Sequence, residues 1–239
     1  MFSYTLAPRG ENAYIRFMNN LRSLRSRLAV EVVFDFVCPW CYLGVKRLGF
    51  LLARRRELDV VLEWRPFLLN PDMPRAGMLR ADYLVRKFGT EDRAKRLNAT
   101  ISGLGAAEGI RFDFPAIRRT PDSVDAHRLV QEATKFGVAD LLVTHIFEAH
   151  FAEGLDIGNI EVLAALAGRV GMDEAAVVMM LERREGIEQV YAENLRAHRL
   201  GINGVPCFIV GGEHAISGAQ EIEVLERLID LAASMGMDH

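Results

Sequence analysis

Apolar and polar residues follow two different periods along the chain, and the first part predicts a strand, a helix and a strand. Val30 to Val37 (VEVVFDFV) is β-branched and aromatic, which is typical of a buried strand. Cys38 to Arg56 predicts a helix, with Pro39 in its first turn and arginines at its end, where the helix dipole favours cations. Asp59 to Trp64 predicts a second strand that is closed off by Pro66. This order predicts a βαβ unit with parallel strands.

The middle of the chain, residues 72–200, has apolar positions at helical spacing. One apolar stripe follows Thr120–Pro121, which predicts a helix start, and another follows Asn159, a predicted helix cap. A later stripe contains two polar residues, Asn194 and His198, and leads towards a proline-containing loop. We therefore expect this segment to be helical, with a polar contact from that stripe near the loop.

After Gly201 the pattern returns to that of strands. Val205 to Val210 predicts one strand, and a glycine turn separates it from a short strand around His214 to Ile216. Ser217 to Gln220 has the spacing of a capping box that would open a final helix. The predicted fold class is α/β, a βαβ…ββα arrangement with a large all-helical insertion.

These changes of pattern also predict how the chain divides into domains. The α/β domain would be formed by two separate stretches of the chain, because the helical segment interrupts it. The predicted divisions are 1–27 as an N-terminal extension, 28–71 as the first part of the α/β domain, 72–200 as the helical insertion and 201–239 as the second part.

Composition narrows the classes of function. The chain has 239 residues and a formal net charge of −3, so no basic excess favours nucleic acid or anionic membranes as partners. Its longest apolar run, Ala175 to Leu181, is far shorter than the roughly 20 residues that span a bilayer. The arginine-rich start could be a targeting segment, but we interpret it as an ordinary extension and expect a cytoplasmic protein. The basic residues of that start are Arg9, Arg16, Arg22, Arg25 and Arg27, against the single acid Glu11.

The motif Cys38-Pro39-Trp40-Cys41 stands where the first predicted strand meets the first predicted helix. Two sulfurs at this spacing on a first helical turn fall on the same side and can close a disulfide. Unpaired N–H groups and the helix dipole stabilise an anion at Cys38, so we expect its pKa to lie below the free value of about 8.5. Cys38 is then the predicted accessible nucleophile, and Cys41 the thiol that resolves the mixed disulfide.

A zinc site is the main alternative for this cysteine pair. The chain has 3 cysteines and 6 histidines, and no second pair of ligands stands at the spacing of a zinc finger. His145 and His150 are spaced so that they do not converge on one ion along a helix. A chance pairing of two core cysteines is the other alternative. We favour a redox pair and predict no metal and no bound cofactor.

A second motif, Gly204-Val205-Pro206-Cys207, opens the strand that follows the helical segment. Proline is normally excluded from the interior of a sheet, so Pro206 after a glycine turn is a candidate cis peptide. Such a bond would leave the Val205 backbone free to pair with an extended substrate beside the Cys38 sulfur.

Together these stretches resemble a known family. The chain is similar to the DsbA-like thioredoxin-fold oxidoreductases, in the FrnE-type branch that is grouped with 2-hydroxychromene-2-carboxylate isomerases. The resemblance implies a thioredoxin fold with an all-helical insertion, with Cys38 as attacking thiol, Cys41 as resolving thiol and Val205–Pro206 as the substrate platform. It spans about residues 30–235 and has no counterpart for 1–27. The matching stretches are DFVCPWCYLG (35–44), EWRPFLLNPDMP (63–74), TPDSVDAHRL (120–129), EGLDIGN (153–159) and GINGVPCFIVGGEHAISGAQ (201–220).

The same superfamily implies an alternative function. Its kappa-class glutathione transferases and chromene-carboxylate isomerases have a serine at the position of Cys38, which steadies the thiolate of bound glutathione. This chain has both cysteines, which would form mixed disulfides with glutathione. We therefore expect a disulfide oxidoreductase acting on protein or peptide thiols, with glutathione as a possible co-substrate. A glutathione-dependent isomerase or transferase is the alternative, and homodimers are common among the relatives.

Three further residues are candidates for contacts at the site, and the role of a fourth, Cys207, is ambiguous. Pro39 and Trp40 lie between the two thiols and could touch substrate, and His127 could donate a hydrogen bond to it; packing in the core is the alternative for Trp40 and His127. Cys207 follows the proline and is expected to be a buried apolar residue. We expect it to remain the one free, slowly reacting thiol of the oxidised protein.

Overall fold

The computed structural model of the protein describes residues 27–235, so the predicted N-terminal extension lies almost wholly outside the described residues. A four-stranded sheet with the strand order β2-β1-β3-β4 forms its centre. Strands β1 and β2 are parallel, whereas β3 is antiparallel to both β1 and β4. The strands are β1 (Leu28–Phe34), β2 (Val60–Pro66), β3 (Cys207–Val210) and β4 (His214–Ser217).

Nine helices of four residues or more surround this sheet within residues 27–235. The helix after β1 and the final helix pack together on one side of the sheet, and the helix before β3 packs against β2. The helices are α1 (Pro39–Arg54), α2 (Arg80–Phe88), α3 (Glu91–Ala107), α4 (Val124–Lys135), α5 (Ala139–Phe151), α6 (Ile160–Arg169), α7 (Glu174–Glu182), α8 (Ile187–Arg199) and α9 (Ile222–Met235). This order confirms the predicted βαβ…ββα fold with a helical insertion. The predicted domain limits stay predictions.

The sheet separates two hydrophobic clusters, because successive side chains of a strand point to opposite faces. Phe208 and Val210 of β3 lie in the larger cluster, with α1, α9 and the helical region. Cys207 and Ile209 lie in a smaller cluster with Ala197 of α8. Cys38 and Cys41 belong to the larger cluster, so the third cysteine faces the other side of the sheet.

The end of β1 differs from its prediction. The strand stops at Phe34, although the apolar pattern continues to Val37. The Asp35 carboxylate accepts the Val37 N–H at 3.2 Å, and the Asp35 carbonyl accepts the Cys38 N–H at 3.1 Å. These local bonds turn the chain out of the sheet and into α1, which is how short polar side chains make turns. Strand β2 also differs, since it includes Pro66 at the edge of the sheet.

Two predicted helix starts are also wrong. The segment near Thr120 forms a two-stranded sheet, Met78–Leu79 with Arg119–Thr120, and α4 begins only at Val124, whose N–H is bound by Asp122. The predicted capping box fails because the Gln220 side chain donates to the Ser217 carbonyl, and α9 starts at Ile222. The predicted cap Asn159 is confirmed, since its side chain accepts two N–H groups of α6.

Among residues 27–235, no helix combines the length and apolar character that a bilayer crossing would require.

Candidate active site

The cysteine pair lies at the N-terminus of α1. Cys38 is the N-cap residue, with extended backbone at φ −93° and ψ 111°, and Pro39 occupies the first helical turn. The Cys38 carbonyl accepts the N–H groups of Cys41 at 3.0 Å and Tyr42 at 3.3 Å. This first turn brings the two side chains close enough to interact, and both are free thiols in this structure.

The Cys38 thiol is more covered than the sequence predicts. Only 4% of Cys38 is exposed, and Cys41 is fully buried. The Cys38 thiol donates a weak hydrogen bond to the Val205 carbonyl, with 3.6 Å between sulfur and oxygen. The prediction of an openly accessible nucleophile is therefore wrong for this structure, because the loop before β3 packs over the sulfur.

The environment of Cys41 favours the protonated thiol. Burial raises the pKa of Cys41 well above its ordinary value, and the hydrogen bond and charge of Cys38 raise it further. The backbone of Asp35 opposes these effects. The two thiols therefore differ: Cys38 lies at the helix N-terminus beside a carbonyl, and Cys41 is enclosed and held neutral.

The Val205–Pro206 peptide bond is cis. Pro206 is buried and Val205 half-buried. Pro206 can approach α1 closely because residue 44 is a glycine: a Cβ at Gly44 would lie 3.0 Å from the proline Cγ. The loop is thereby seated directly against the helix that carries both cysteines.

Sequence reasoning missed a fully buried carboxylate beside the pair. Asp35 is 1% exposed, and its second oxygen accepts the Leu69 N–H at 2.7 Å in addition to the Val37 bond. Burial raises the pKa of Asp35 to about 6, and the bonds from Leu69, Ser123 and Val37 partly offset this effect. The available signal was that Asp35 stands in the predicted strand Val30 to Val37, where Glu31 is the only other polar residue. Charged residues are rarely buried without partners.

His127 is buried in the core, and its predicted role as a substrate-binding residue stays a prediction. It is 1% exposed, packed against the rings of Phe34 and Phe36 with centroid distances of 5.0 and 5.1 Å. Its Nε2 lies 3.9 Å from Asp35, and neither ring nitrogen has a hydrogen-bond partner among the described residues. Burial lowers the pKa of His127 to about 3.

The remaining candidate residues differ in their exposure and in their position relative to Cys38. Trp40 is 37% exposed and Pro39 half-buried, so both present surface next to Cys38. His198 is exposed and stacks near the Phe67 ring rather than the cysteines. Cys207 is buried on the opposite face of the sheet, where burial raises its pKa. Its expected survival as a free thiol in the oxidised protein stays a prediction.

A polar cavity of about 270 Å³ adjoins the site and was not predicted. Its wall includes Leu69 and Asn70 of the segment after β2 and Tyr83 of α2. Burial raises the pKa of Tyr83, and charges on Asp35 and Cys38 add to this effect, which places the phenol within electrostatic range of both. A larger cavity of about 480 Å³ lies against Phe136 and Met180 in the helical region and is lined by none of the redox residues.

A family model, two curated proteins and a solved structure each resemble this chain over most of its length. The family described as DSBA-like thioredoxin domain matches residues 29–230. An uncharacterized protein of Bacillus subtilis, YwbO, is 28% identical over 84% of this chain and 94% of its own length. A 2-hydroxychromene-2-carboxylate isomerase of Sphingobium xenophagum is 23% identical over 82% of this chain and 95% of its own. A probable DsbA oxidoreductase from Streptomyces coelicolor has a similar structure, with a TM-score of 0.77, 28% identity and coverage of 86% of this chain and 89% of that one.

Proposed function

The chain belongs to the DSBA-like thioredoxin domain family, and within it we propose that the protein is a thiol–disulfide oxidoreductase. The observation that carries the proposal is the pair of free thiols on the first turn of α1, with Cys38 against the Val205 carbonyl. The substrates are disulfides or thiols of proteins and peptides, with glutathione as a small partner. We place the reaction in the cytoplasm, and it needs no metal or bound cofactor.

The reaction consists of two exchange steps. The Cys38 thiolate, formed at the helix N-terminus, attacks one sulfur of a substrate disulfide and forms a mixed disulfide, and the other substrate sulfur leaves as a thiolate. Cys41 then loses its proton and attacks the Cys38 sulfur, which releases the second substrate thiolate. The substrate gains two electrons and is reduced to two thiols, and the protein is oxidised to the Cys38–Cys41 disulfide. The reverse sequence oxidises a substrate dithiol.

The surroundings of Cys38 suit an extended substrate segment. The Val205 carbonyl, which accepts the Cys38 thiol at 3.6 Å, is also positioned to accept a backbone N–H of a partner strand. Trp40, which is 37% exposed, and the half-buried Pro39 supply apolar surface directly after Cys38 in the chain. A backbone-mediated contact of this kind binds different sequences, because main-chain groups are common to all of them.

A second candidate function is a glutathione-dependent isomerisation. It is favoured by the likeness to the Sphingobium xenophagum isomerase over most of both chains. In that reaction the group at position 38 would steady a glutathione thiolate without exchanging with it, so a hydroxyl would serve. The two candidates therefore differ in their need for Cys41.

Insulin reduction by dithiothreitol distinguishes them. We expect the wild-type protein to accelerate precipitation of the insulin chains, and Cys38→Ser to reduce the rate to the uncatalysed background. Cys41→Ser should accumulate a mixed disulfide with its substrate that a thiol reductant releases, visible as a mass increase. Cys207→Ser is the matched control, because Cys207 is equally buried but on the other face of the sheet. Full activity of Cys38→Ser, or loss of activity in Cys207→Ser alone, would overturn the proposal.

A further inference from the structure

The buried Asp35 carboxylate joins two segments that both reach the redox site. One oxygen accepts the Val37 N–H at 3.2 Å, directly before Cys38. The other accepts the Leu69 N–H at 2.7 Å, in the segment after β2. A single side chain therefore satisfies backbone donors of the cysteine loop and of the segment that lines the polar cavity, and the positions of the two segments are coupled through it.

The segment after β2 depends on side chains for its backbone hydrogen bonds. The neighbouring Leu68 N–H is accepted by the Asn194 side chain of α8 at 2.9 Å, and Asn194 is itself buried. The consecutive amides of Leu68 and Leu69 therefore donate to two different side chains, those of Asn194 and Asp35. In a longer β2, such amides would donate to backbone carbonyls of a neighbouring strand. Asn70 then follows on the cavity wall, where its amide donates to the Tyr83 hydroxyl at 3.4 Å.

We propose that Asp35 is a positioning residue that holds the wall of the 270 Å³ cavity in register with Cys38, so that ionised Asp35 favours substrate binding and protonated Asp35 weakens it. The inference rests on the proposed function, because it assigns this cavity to the substrate. An ionised carboxylate accepts both N–H groups at once as charge-assisted bonds. Protonation converts one oxygen into a donor, which loosens one of the two segments.

The pH at which this happens follows from the surroundings of the carboxyl group. Burial raises the pKa of Asp35 to about 6, so the change falls within an accessible range. The titratable groups that face Asp35 are Cys38 and Cys41 of α1, Tyr83 of α2, Asp122 before α4 and His127 of α4. Cys41 and Tyr83 have raised pKa values, and His127 has a pKa lowered to about 3. These three keep their charge state as the pH passes through 6.

The test measures binding of glutathione disulfide as a function of pH from 4.5 to 8. It uses the full chain with Cys38→Ala, which removes both the exchange reaction and the Cys38 thiol. We expect the dissociation constant to rise by about 3- to 10-fold on acidification, the loss of roughly one hydrogen bond, with a midpoint near pH 6. Adding Asp35→Asn should abolish this step, because the amide does not titrate. A step that persists in Asp35→Asn belongs to Asp122 or another group and overturns the proposal.

Asn194→Ala is the matched control. It removes the bond to the adjacent Leu68 amide without removing a titratable group, so we expect weaker binding at every pH and an unchanged midpoint. A second measurement needs no substitution at Asp35: the ¹⁵N–¹H resonances of Val37 and Leu69 should shift together with a common midpoint near pH 6. Independent midpoints, or none, would contradict the coupling. Failure of insulin reduction by the wild type would instead contradict the proposed function, whatever the resonances show.

Discussion

At the scale of single residues, three buried ionisable groups make folding sensitive to acid. Burial lowers the pKa of His127 to about 3 and that of His150 to about 4, from an ordinary 6.5. Between these values the unfolded chain binds protons that the folded chain does not, so stability is lost as the pH falls below 6.5. Asp35 acts in the opposite sense between 3.8 and about 6, because the folded chain keeps its proton longer. Between about pH 4 and pH 6, the two histidines therefore lower the stability on acidification by more than Asp35 raises it.

We predict that His127→Leu makes stability less dependent on pH. Each group changes the free energy of unfolding by about 1.4 kcal/mol per pH unit, so these three groups remove about 3 kcal/mol from the wild type between pH 6 and pH 4. In the variant the contributions of His150 and Asp35 nearly cancel. Since neither ring nitrogen of His127 makes a hydrogen bond to a described residue, the loss at pH 7 should be limited to packing. Urea unfolding of the wild type and of His127→Leu at pH 7 and pH 4 measures the free energy of unfolding at each pH. An equal loss of stability on acidification in the two proteins would refute the prediction.

The residue scale also shows where sequence reasoning was sufficient. The proximity of Cys38 and Cys41 and the cis bond of Val205–Pro206 were predictable because both depend on spacing within a few residues. The burial of Asp35 was not predicted, because it depends on residues distant in sequence that pack around it. The predicted strand also contains Glu31, and the apolar pattern does not distinguish which of the two acids is fully buried.

At the scale of elements, the helix α1 is central because it carries the thiols at one end and packs closely against the proline loop. Gly44 and Gly49 both lie within it, in different surroundings. A Cβ at Gly44 would meet the Pro206 side chain at 3.0 Å and the Phe208 ring at 3.2 Å, whereas nothing lies within 4 Å of a Cβ at Gly49. Gly44 therefore permits the close approach of Pro206 to α1, whereas Gly49 is exposed and has no such contact.

We predict that alanine has opposite consequences at these two positions. Gly49→Ala should raise the free energy of unfolding by about 0.5–1 kcal/mol through helix propensity and leave insulin reduction unchanged. Gly44→Ala gains the same propensity but pushes Pro206 and its loop away from α1, so we expect kcat/KM to fall several-fold. The comparison uses the two variants in parallel assays. Equal activities would show that the approach at Gly44 does not position the loop.

Element types were predictable, but several of their ends were not. The apolar patterns of α1, α5 and α6 extend over enough residues to define helices, and Asn159 was correctly predicted as the cap of α6. The strands Met78–Leu79 and Arg119–Thr120 are too short to show any period. They also lie far apart in sequence, with the whole of α3 between them, so no local pattern indicates their pairing. β1 ended early because the Asp35 side chain bonds to Val37, a local competition that apolar patterning does not reveal.

At the scale of the whole molecule, Arg47 of α1 connects the end of α3 with the segment that precedes α9. It is 2% exposed and pairs bidentately with Glu108, at the end of α3. The same guanidinium donates to the Ala219 carbonyl at 2.8 Å and lies 3.1 Å from the Glu221 carboxylate, both just before α9. Three stretches that are distant in sequence are thus held by one side chain, which no local pattern could have predicted.

We predict that Arg47→Ala destabilises the protein by about 2–4 kcal/mol, because it leaves a partly buried carboxylate and a carbonyl without their donor. Arg55→Ala is the comparison: Arg55 is also in contact with three acids, Glu57, Glu226 and Asp230, but on the surface. We expect a much smaller change there, because exposed ion pairs are screened by water and salt. Urea unfolding of both variants at pH 7.5 decides this; similar losses would assign Arg47 no special role in joining these three stretches of the chain.

The contact between the Cys38 sulfur and the Val205 carbonyl joins residues that are 167 positions apart in the chain. A ribosome delivers the N-terminal part first, so both thiols of the pair emerge well before the segment that will cover them. During that interval the sheet is incomplete and the segment that covers Cys38 has not yet been synthesised, so both cysteines are open to the solvent. Under the proposed function, the oxidation state of the pair in a newly made molecule is therefore set by the thiols and disulfides around the nascent chain, before folding limits access to Cys38.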